Sequence, residues 1–259
     1  MGQVQGAKQV VDEAWNMEVK AITMNMASRF VYKWHYAKNM PRINQAAYGL
    51  LVNDNLMGVM TFGLGTRPLH TIKRIFPTLK VQDYYELGRL CCHPEMPKNT
   101  ESWFISRVLK QVKDKAIIFS WADGILGKPG YVYQASNFYY GGFIWSEMYI
   151  DQNGCRIHPR TFQGMSTGEY VGKFRTRSRK QTESQGLIKV FGKQFRYVYP
   201  LCSKREWKNL LESSTFTWER KDYPKDADCE WMDADREPCE KPIITASGIP
   251  LSMPLFERG

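Results

Sequence analysis

The sequence predicts an α+β protein in which a mixed, mostly antiparallel β-sheet is flanked by helices. Residues 85–142 alternate strand-like and helix-like segments, which is typical of a βαβα unit with one parallel strand pair. Candidate hairpins before and after this unit, over residues 46–63 and 143–162, predict antiparallel pairing on both sides. A chain of 259 residues is long enough for such a sheet to have a substantial core.

The remaining segments follow from periodicity and from turn residues. Residues 8–37 predict a largely helical start that must end before Pro41. Residues 66–83 predict a loop with a short helix, and residues 193–201 predict a strand, most simply the last of the sheet. Beyond residue 203 the pattern weakens into an acidic, proline-containing stretch. We therefore expect a main catalytic domain over 1–203 and an irregular extension over 204–259.

Positive charge is concentrated in the second half of the chain. Residues 156–208 contain 13 Lys or Arg against three acidic residues, with aromatic residues between them. A solvated surface would account for the charge alone, but the aromatic interleaving favours contact with nucleic acid. The expected partner is double-stranded DNA. The candidate contacts are Lys38, Arg42, Arg156, His158, Arg160, Lys173, Arg175, Arg177, Arg179, Lys193 and Arg196.

Cysteine and histidine usage argues against a disulfide framework or a structural zinc site. The six cysteines form no CxxC pair, and the four histidines fit no zinc spacing. A metal site formed by the side chains of His35, His93 and Asp123 is left open. The N-terminus has no apolar signal region, and no apolar run approaches the roughly 18–20 residues of a membrane span. We expect a cytoplasmic protein that does not enter a membrane.

Polar side chains on the first strand of the central unit need partners elsewhere. Glu86 and Arg89 are three residues apart, so in a regular strand they lie on opposite faces and cannot pair with each other. Arg89 beside apolar residues indicates an ion pair or a bound anion.

The bend after this strand leads into an amphipathic helix and could bind an anion. The start of a helix offers unpaired N–H groups, which suit a pyrophosphate, and Lys98 precedes it. A helix that is merely capped explains the same residues, and the segment lacks the glycines that bring a backbone close to phosphates. The candidate cofactor residues are Arg89, Lys98, Asn99, Thr100, Glu101 and Ser102.

Candidate catalytic residues follow the next strand. Asp123 stands at the carboxyl end of an apolar strand that also carries Ser120, where α/β sheets bind their ligands, although it could simply cap a turn. On the predicted helix after Gly130, Tyr133, Asn137 and Tyr140 would share one face, either as packing residues or as acids that assist a leaving group.

Several blocks occur in an order that resembles one known family. They are HYAKNMP at residues 35–41, ELGRL at 86–90, PKNTES at 97–102, SWAD at 120–123, QASNF at 134–138 and HPR at 158–160. Over residues 20–200 the chain resembles the Mom family of phage DNA-modification proteins, which have a GNAT-like acyltransferase fold. One position departs from the pattern, because Gly88 stands where a polar residue is expected.

The resemblance implies an activity and a set of roles. It implies conversion of the exocyclic amine of adenine in DNA to a carbamoylmethyl form, which protects phage DNA from restriction in the infected host. His35, Tyr36, Asp123, Ser120, Asn137 and Tyr140 are then the catalytic candidates. Acetyl-CoA or another acyl donor is the expected cofactor. The alternatives are an N-acyltransferase acting on a hypermodified pyrimidine or on a small-molecule or protein amine, and a non-catalytic DNA-binding protein.

Overall fold

The computed structural model describes residues 16–37, 39–65, 68–157 and 186–244. The chain divides into two compact units. Among the described residues, the first contains those up to Ala122 together with 130–143 and 195–223, and the second contains 123–129, 144–157, 186–194 and 224–244. The predicted fold class is confirmed, since helices accompany a mixed sheet to which the described residues contribute ten strands.

The strands follow the order β1-β2-β3-β4-β5-β8-β6-β7, with β9 and β10 attached beside β8. Their bounds are Met17–Ala21 (β1), Asn44–Val52 (β2), Asn55–Gly63 (β3), Tyr84–Cys92 (β4), Ile117–Asp123 (β5), Tyr139–Ile150 (β6), Arg156–Ile157 (β7), Ile188–Pro200 (β8), Trp231–Met232 (β9) and Pro238–Cys239 (β10). The first predicted hairpin is β2–β3, and its turn residues Asn53 and Asp54 both have positive φ, as a tight hairpin turn requires. The second predicted hairpin is β6–β7.

The parallel pair expected in the central unit is β4 with β5. Their pairing covers only three positions, from Tyr84 opposite Ile117 to Glu86 opposite Phe119. Beyond that point β4 continues to Cys92, paired with β3 on its other side, so the two parallel strands separate. We call the space beyond Glu86 and Phe119 the β4–β5 opening.

Five α-helices accompany the strands in the described part of the chain: Met24–Trp34 (α1), Pro68–Ile75 (α2), Thr100–Leu109 (α3), Tyr131–Ala135 (α4) and Lys204–Ser213 (α5). Helix α1 begins where the Thr23 hydroxyl accepts a hydrogen bond from the Met26 N–H, and it buries Ala27, Phe30 and Val31. Helix α3 joins the parallel strands and buries Phe104, Ile105 and Val108. None of the helices in the described ranges is long and apolar enough to cross a membrane.

Three expectations differ from the observed elements. Residues 17–21 form the edge strand β1 rather than helix, paired with β2. Strand β8 is not at the end of the sheet but lies between β5 and β6. Helix α5 follows the boundary expected at residue 203, yet its Trp207 and Leu210 are buried in the same apolar cluster as Phe76 and Phe119, so this segment packs into the first unit.

The second unit has its own apolar cluster. Ile125, Met148, Ile150 and Val190 are buried together, and Trp231 packs against them. The indole N–H of Trp231 donates to the Ile125 carbonyl at 2.8 Å, which ties β9 to the turn after β5. Residues 224–244 of the expected extension therefore belong to the body of this unit.

Candidate active site

A β-bulge in β4 changes the faces to which Glu86 and Arg89 belong. Thr61 of β3 lies opposite Arg89 and the next residue, Phe62, lies opposite Leu87, so Gly88 is an extra residue without a partner. An extra residue resets the alternation of side chains along a strand. The expectation that Glu86 and Arg89 are on opposite faces was therefore wrong, and the charge of Arg89 acts on the Glu86 carboxyl group.

Glu86 is the last β4 residue that pairs with β5, and its carboxyl group lies against Gly65 and acts on Tyr133. Burial raises the pKa of this carboxyl group from the ordinary 4.5 to about 7, although Arg89 partly offsets this. Gly65 makes room for it: a Cβ there would lie 2.1 Å from a Glu86 carboxyl oxygen, and Gly65 also has a positive φ of 72°. A carboxyl group with a pKa near 7 can exchange protons at physiological pH.

Arg89 fastens the loop that follows α1. Its guanidinium donates to the Asn39 carbonyl at 2.8 Å, to the Gly88 carbonyl at 2.7 Å and to the Asn39 side-chain oxygen. These three hydrogen bonds to neutral oxygens hold the guanidinium against the loop. Gly88 lies directly beneath the same loop, because a Cβ there would be 2.7 Å from the Pro41 ring. This close approach explains why a larger polar residue does not fit at Gly88.

His35 ends α1 and is oriented by its own loop. The side chain is buried, and its Nδ1 lies 2.9 Å from the Ala37 nitrogen and 3.1 Å from the Ala37 carbonyl oxygen. The first contact fits the tautomer with its proton on Nε2, and the second fits the tautomer with its proton on Nδ1. The exposed ring of Tyr36 stacks on the imidazole with ring centres 4.2 Å apart. The two residues thus form one aromatic pair above a loop that Arg89 holds.

Ser120 of β5 is fully buried beside Tyr133 of α4, a residue for which the sequence left open a packing role and an acid role. Burial raises the pKa of Tyr133, the nearby Ser120 hydroxyl lowers it in part, and the Glu86 carboxyl group raises it again. Ser120 Oγ has no hydrogen-bond partner of good geometry among the described residues. The sequence shows only that Tyr133 closely follows Gly130. The folded chain shows that Tyr133 lies beside Ser120.

Asn137 and Tyr140 do not share a helix face with Tyr133, as the sequence led us to expect. Helix α4 ends at Ala135, and Asn137 adopts a left-handed conformation with φ of 61°. Tyr140 belongs to β6, where its backbone pairs with Glu219, and its ring packs near Phe195 and Tyr197. Helical periodicity could not predict that α4 ends at Ala135, because the turn that follows contains no glycine to mark it.

The residues predicted to bind a cofactor surround the start of α3. Asn99 is the N-cap residue but has φ of 73° and makes no side-chain cap. The Thr100 hydroxyl donates to the Pro97 carbonyl at 2.6 Å, and the Ser102 hydroxyl donates to the Asn99 carbonyl at 3.0 Å. Lys98 is exposed and Glu101 is half-buried. Two of these three hydroxyl and amide side chains thus serve the turn itself.

A cavity of about 300 Å³ lies between α3, α4 and the end of β8. It brings together Ser102 and Asn137, which were predicted for different roles, and adds Ser106, Lys110 and Tyr199. This size is at the lower end of small-molecule sites. Polar hydroxyl and amide groups beside a cation suit the polar arm of a donor molecule.

Asp123 belongs to the second unit, where Arg156 of β7 binds it. One guanidinium nitrogen of Arg156 lies 2.9 Å from Asp123 Oδ2, while Oδ1 is buried with no hydrogen-bond partner among the described residues. The predicted DNA contact Arg156 and the predicted catalytic Asp123 therefore form an ion pair. Arg156 can orient the carboxylate.

The other predicted DNA contacts divide into three groups. Arg42 is exposed. Lys193 pairs with Glu230 at 2.7 Å, and Arg196 donates to the Gly141 carbonyl between the rings of Trp121 and Phe216; both are buried, which leaves neither available to a DNA backbone. The remaining candidates lie outside the described residues: Lys38, His158, Arg160, Lys173, Arg175, Arg177 and Arg179.

The possible metal site receives no support. In the described ranges, no three His, Cys, Asp or Glu side chains are close enough to hold a metal ion. His93 packs edge-on against Trp34, with ring centres 4.2 Å apart, and faces Glu95.

Comparison with known proteins agrees with the resemblance. The model of the Mom protein family matches residues 16–225. The protein named methylcarbamoylase mom, from Escherichia phage Mu, is 29% identical over 213 residues, which cover 81% of this chain and 84% of that protein.

Solved structures with similar architecture are acetyltransferases. Aminoglycoside 6'-acetyltransferase type Ii matches with a TM-score of 0.39 at 9% identity, over 72% of this chain and 99% of that one. An N-acetyltransferase from Staphylococcus aureus Mu50 gives the same TM-score at 12% identity, over 72% and 99% of the two chains. At such TM-scores the similarity supports no inference about the site.

Proposed function

The chain belongs to the Mom protein family, and we propose that it converts the exocyclic amine of adenine in phage DNA to a carbamoylmethyl form. The name of the phage Mu relative, methylcarbamoylase, supports transfer of this group rather than of a plain acetyl group. Acting in the cytoplasm of the infected bacterium, the modification would protect phage DNA from host restriction. The base must leave the stack to be reached, which costs a few kcal/mol.

The observation that carries the proposal is the Glu86 carboxyl group at the β4–β5 opening. With a pKa of about 7, a large share of Glu86 is ionised at neutral pH while the group still binds a proton well. As the adenine nitrogen forms its bond to the carbamoylmethyl carbon, Glu86 accepts the proton that the nitrogen loses. The donor supplies that carbon, and its carrier departs with the electron pair of the broken bond.

His35 is held through Nδ1, which contacts both the nitrogen and the carbonyl oxygen of Ala37. Its Nε2 is a donor in one neutral tautomer and a base in the other, so the general-base role expected from sequence stays a prediction. We assign His35 to orient or polarise an acceptor atom, with the exposed Tyr36 ring stacked on it to hold the extruded base. Trp121 and Tyr139, both half-buried, are further candidates for stacking on the base.

Asp123, Ser120, Asn137 and Tyr140 keep supporting roles in the proposal. Ser120, buried beside Tyr133, would contribute a hydroxyl to the polar wall of the opening. Asp123, oriented by Arg156, would assist in handling the amine proton. Asn137 in the cavity wall, or Tyr140, would assist the departing group.

The donor is expected to be an acyl-type compound, with coenzyme A as the carrier that the GNAT-like fold suggests. The cavity beside α3 supports this, because Ser102, Ser106 and Lys110 offer two hydroxyl donors and a cation to a polar arm. Acetyl-CoA contains no nitrogen in its acetyl group, and an acyl thioester reacts at its carbonyl carbon to give an amide. A carbamoylmethyl product therefore needs a donor that supplies the nitrogen and is attacked at its methylene carbon.

Mass spectrometry of nucleosides from DNA of bacteria expressing the protein tests the proposal, with the His35→Ala variant as control. We expect an adenosine species heavier by one carbamoylmethyl group that disappears in the control, because His35 lies in the site. A species heavier by one acetyl group would favour plain acetylation. Unmodified DNA from soluble, folded protein would contradict the proposal and favour a hypermodified pyrimidine or another amine as substrate.

A further inference from the structure

The outward face of α1 combines positive charge with exposed apolar and aromatic side chains. Around the helix, Tyr32, Asn25, Arg29, Lys33 and Met26 occupy one continuous arc, and all five are exposed. Met26 and Tyr32 are each 45% exposed, although both have large side chains of the kind that is usually buried against neighbouring elements. The opposite arc is buried against the sheet.

This surface continues beyond the helix and contains no negative charge from its own segment. Tyr36 is 40% exposed, and Arg42 and Ile43 are exposed as well. Residues 19–53 contain no Asp or Glu at all. We call the exposed set Asn25, Met26, Arg29, Tyr32, Lys33, Tyr36 and Arg42 the α1 surface. Surfaces of ordinary solubility mix both signs of charge, so a segment that supplies only positive charge together with exposed rings indicates a partner.

The chemistry of the α1 surface fits a polyanion with flat or apolar parts. Guanidinium and ammonium groups pair with phosphates, and neutral tyrosine rings pack on sugars and bases. An anionic membrane would also attract the cations. It is disfavoured because the exposed apolar residues are mostly tyrosines rather than long aliphatic chains.

The position of the α1 surface links it to the β4–β5 opening. Helix α1 ends at His35, and the following loop is held over the bulge by the Arg89 bonds to Asn39 and by the contact of Gly88 with Pro41. A nucleic acid lying on α1 would therefore run directly toward the loop that carries His35 and Tyr36.

We propose that the α1 surface binds the phosphate backbone of duplex DNA next to the target adenine, with Arg29 and Lys33 as its main phosphate contacts. This inference rests on the proposed function and adds a binding surface to it. The surface lies outside the basic stretch 156–208 that the sequence analysis favoured.

Binding of the full-length protein to a fluorescent DNA duplex, measured at several salt concentrations, tests the proposal. The double variant Arg29→Ala/Lys33→Ala should bind more than tenfold more weakly at low salt. Its dependence of log affinity on log salt should be shallower by about 1–2, because each lost phosphate contact removes about 0.9. Tyr32→Ala should weaken binding without changing that slope, since tyrosine is neutral.

The matched control is Arg205→Ala/Lys208→Ala, which removes the same charge from exposed positions of α5. It should bind DNA within about twofold of the unchanged protein. Equal weakening by both double variants would overturn the proposal, because only net charge would then matter. Retained DNA binding with lost binding to phosphatidylserine vesicles would overturn it in favour of a membrane surface.

Nucleoside analysis of the same proteins separates this proposal from the proposed function. DNA modified normally by a double variant that also binds DNA normally would sink the α1 surface and leave the function standing. Weakened binding by the double variant, with no modification by the unchanged protein, would support the surface and contradict the function.

Discussion

At the scale of single residues, the chemistry is concentrated around the bulge in β4. The sequence alone identified Arg89, His35 and Ser120 as candidates, because polar residues in apolar surroundings stand out. It could not assign the pKa of Glu86, which depends on the close approach of Gly65 and on the displaced register of β4. Both are contacts between residues far apart in the chain.

The raised pKa of Glu86 predicts a pH-dependent cost to stability. An acid with a folded pKa of about 7 and an ordinary value of 4.5 stays protonated in the folded state while the unfolded state loses its proton. Stability therefore falls as pH rises from about 4.5 to about 7, by roughly 2–3 kcal/mol. Because the glutamine side chain of Glu86→Gln does not titrate, this variant should not lose stability in that way as the pH rises. If the free energy of unfolding, measured with denaturant, depended on pH in the same way in both proteins, that result would contradict the assigned pKa.

At the scale of elements, the bulge and the loop over it act together. Periodicity correctly predicted the β2–β3 hairpin, the parallel pair and α3, because each depends on local pattern. It failed at β1, which is strand because β2 offers an open edge, and at α4, which Asn137 ends early. Pairing partners and left-handed turns are set by the fold rather than by local periodicity.

Arg89 is expected to control the order of the loop between α1 and β2. Arg89→Ala removes three hydrogen bonds to Asn39 and Gly88 and should cost about 2–3 kcal/mol. Amide hydrogen exchange should increase in residues 36–43 while the β2–β3 hairpin stays protected. Arg89→Lys keeps the charge but cannot reproduce the forked geometry, so it should show the same local increase. Unchanged exchange in this loop for both variants would contradict the anchoring role.

At the scale of the whole molecule, the sequence predicted the class and the family but not the strand order. Strand β8 lies between β5 and β6 although it is far from β5 in the chain, and no local signal indicates that insertion. The prediction of DNA contacts from the charge pattern was also incomplete. The basic stretch suggested DNA, yet its Lys193 and Arg196 are buried, whereas the acid-free segment of residues 19–53 supplies an exposed basic surface.

The central claim is that Glu86 is the base for modification of DNA adenine at the β4–β5 opening. Its most direct test is the fraction of modified adenosine in DNA from bacteria that express the unchanged protein or Glu86→Gln at equal levels. We predict that Glu86→Gln lowers modification by at least about a hundredfold, with DNA affinity and thermal stability retained, because a general base contributes on the order of 10²–10⁴. Modification at the unchanged level by folded Glu86→Gln would contradict the account.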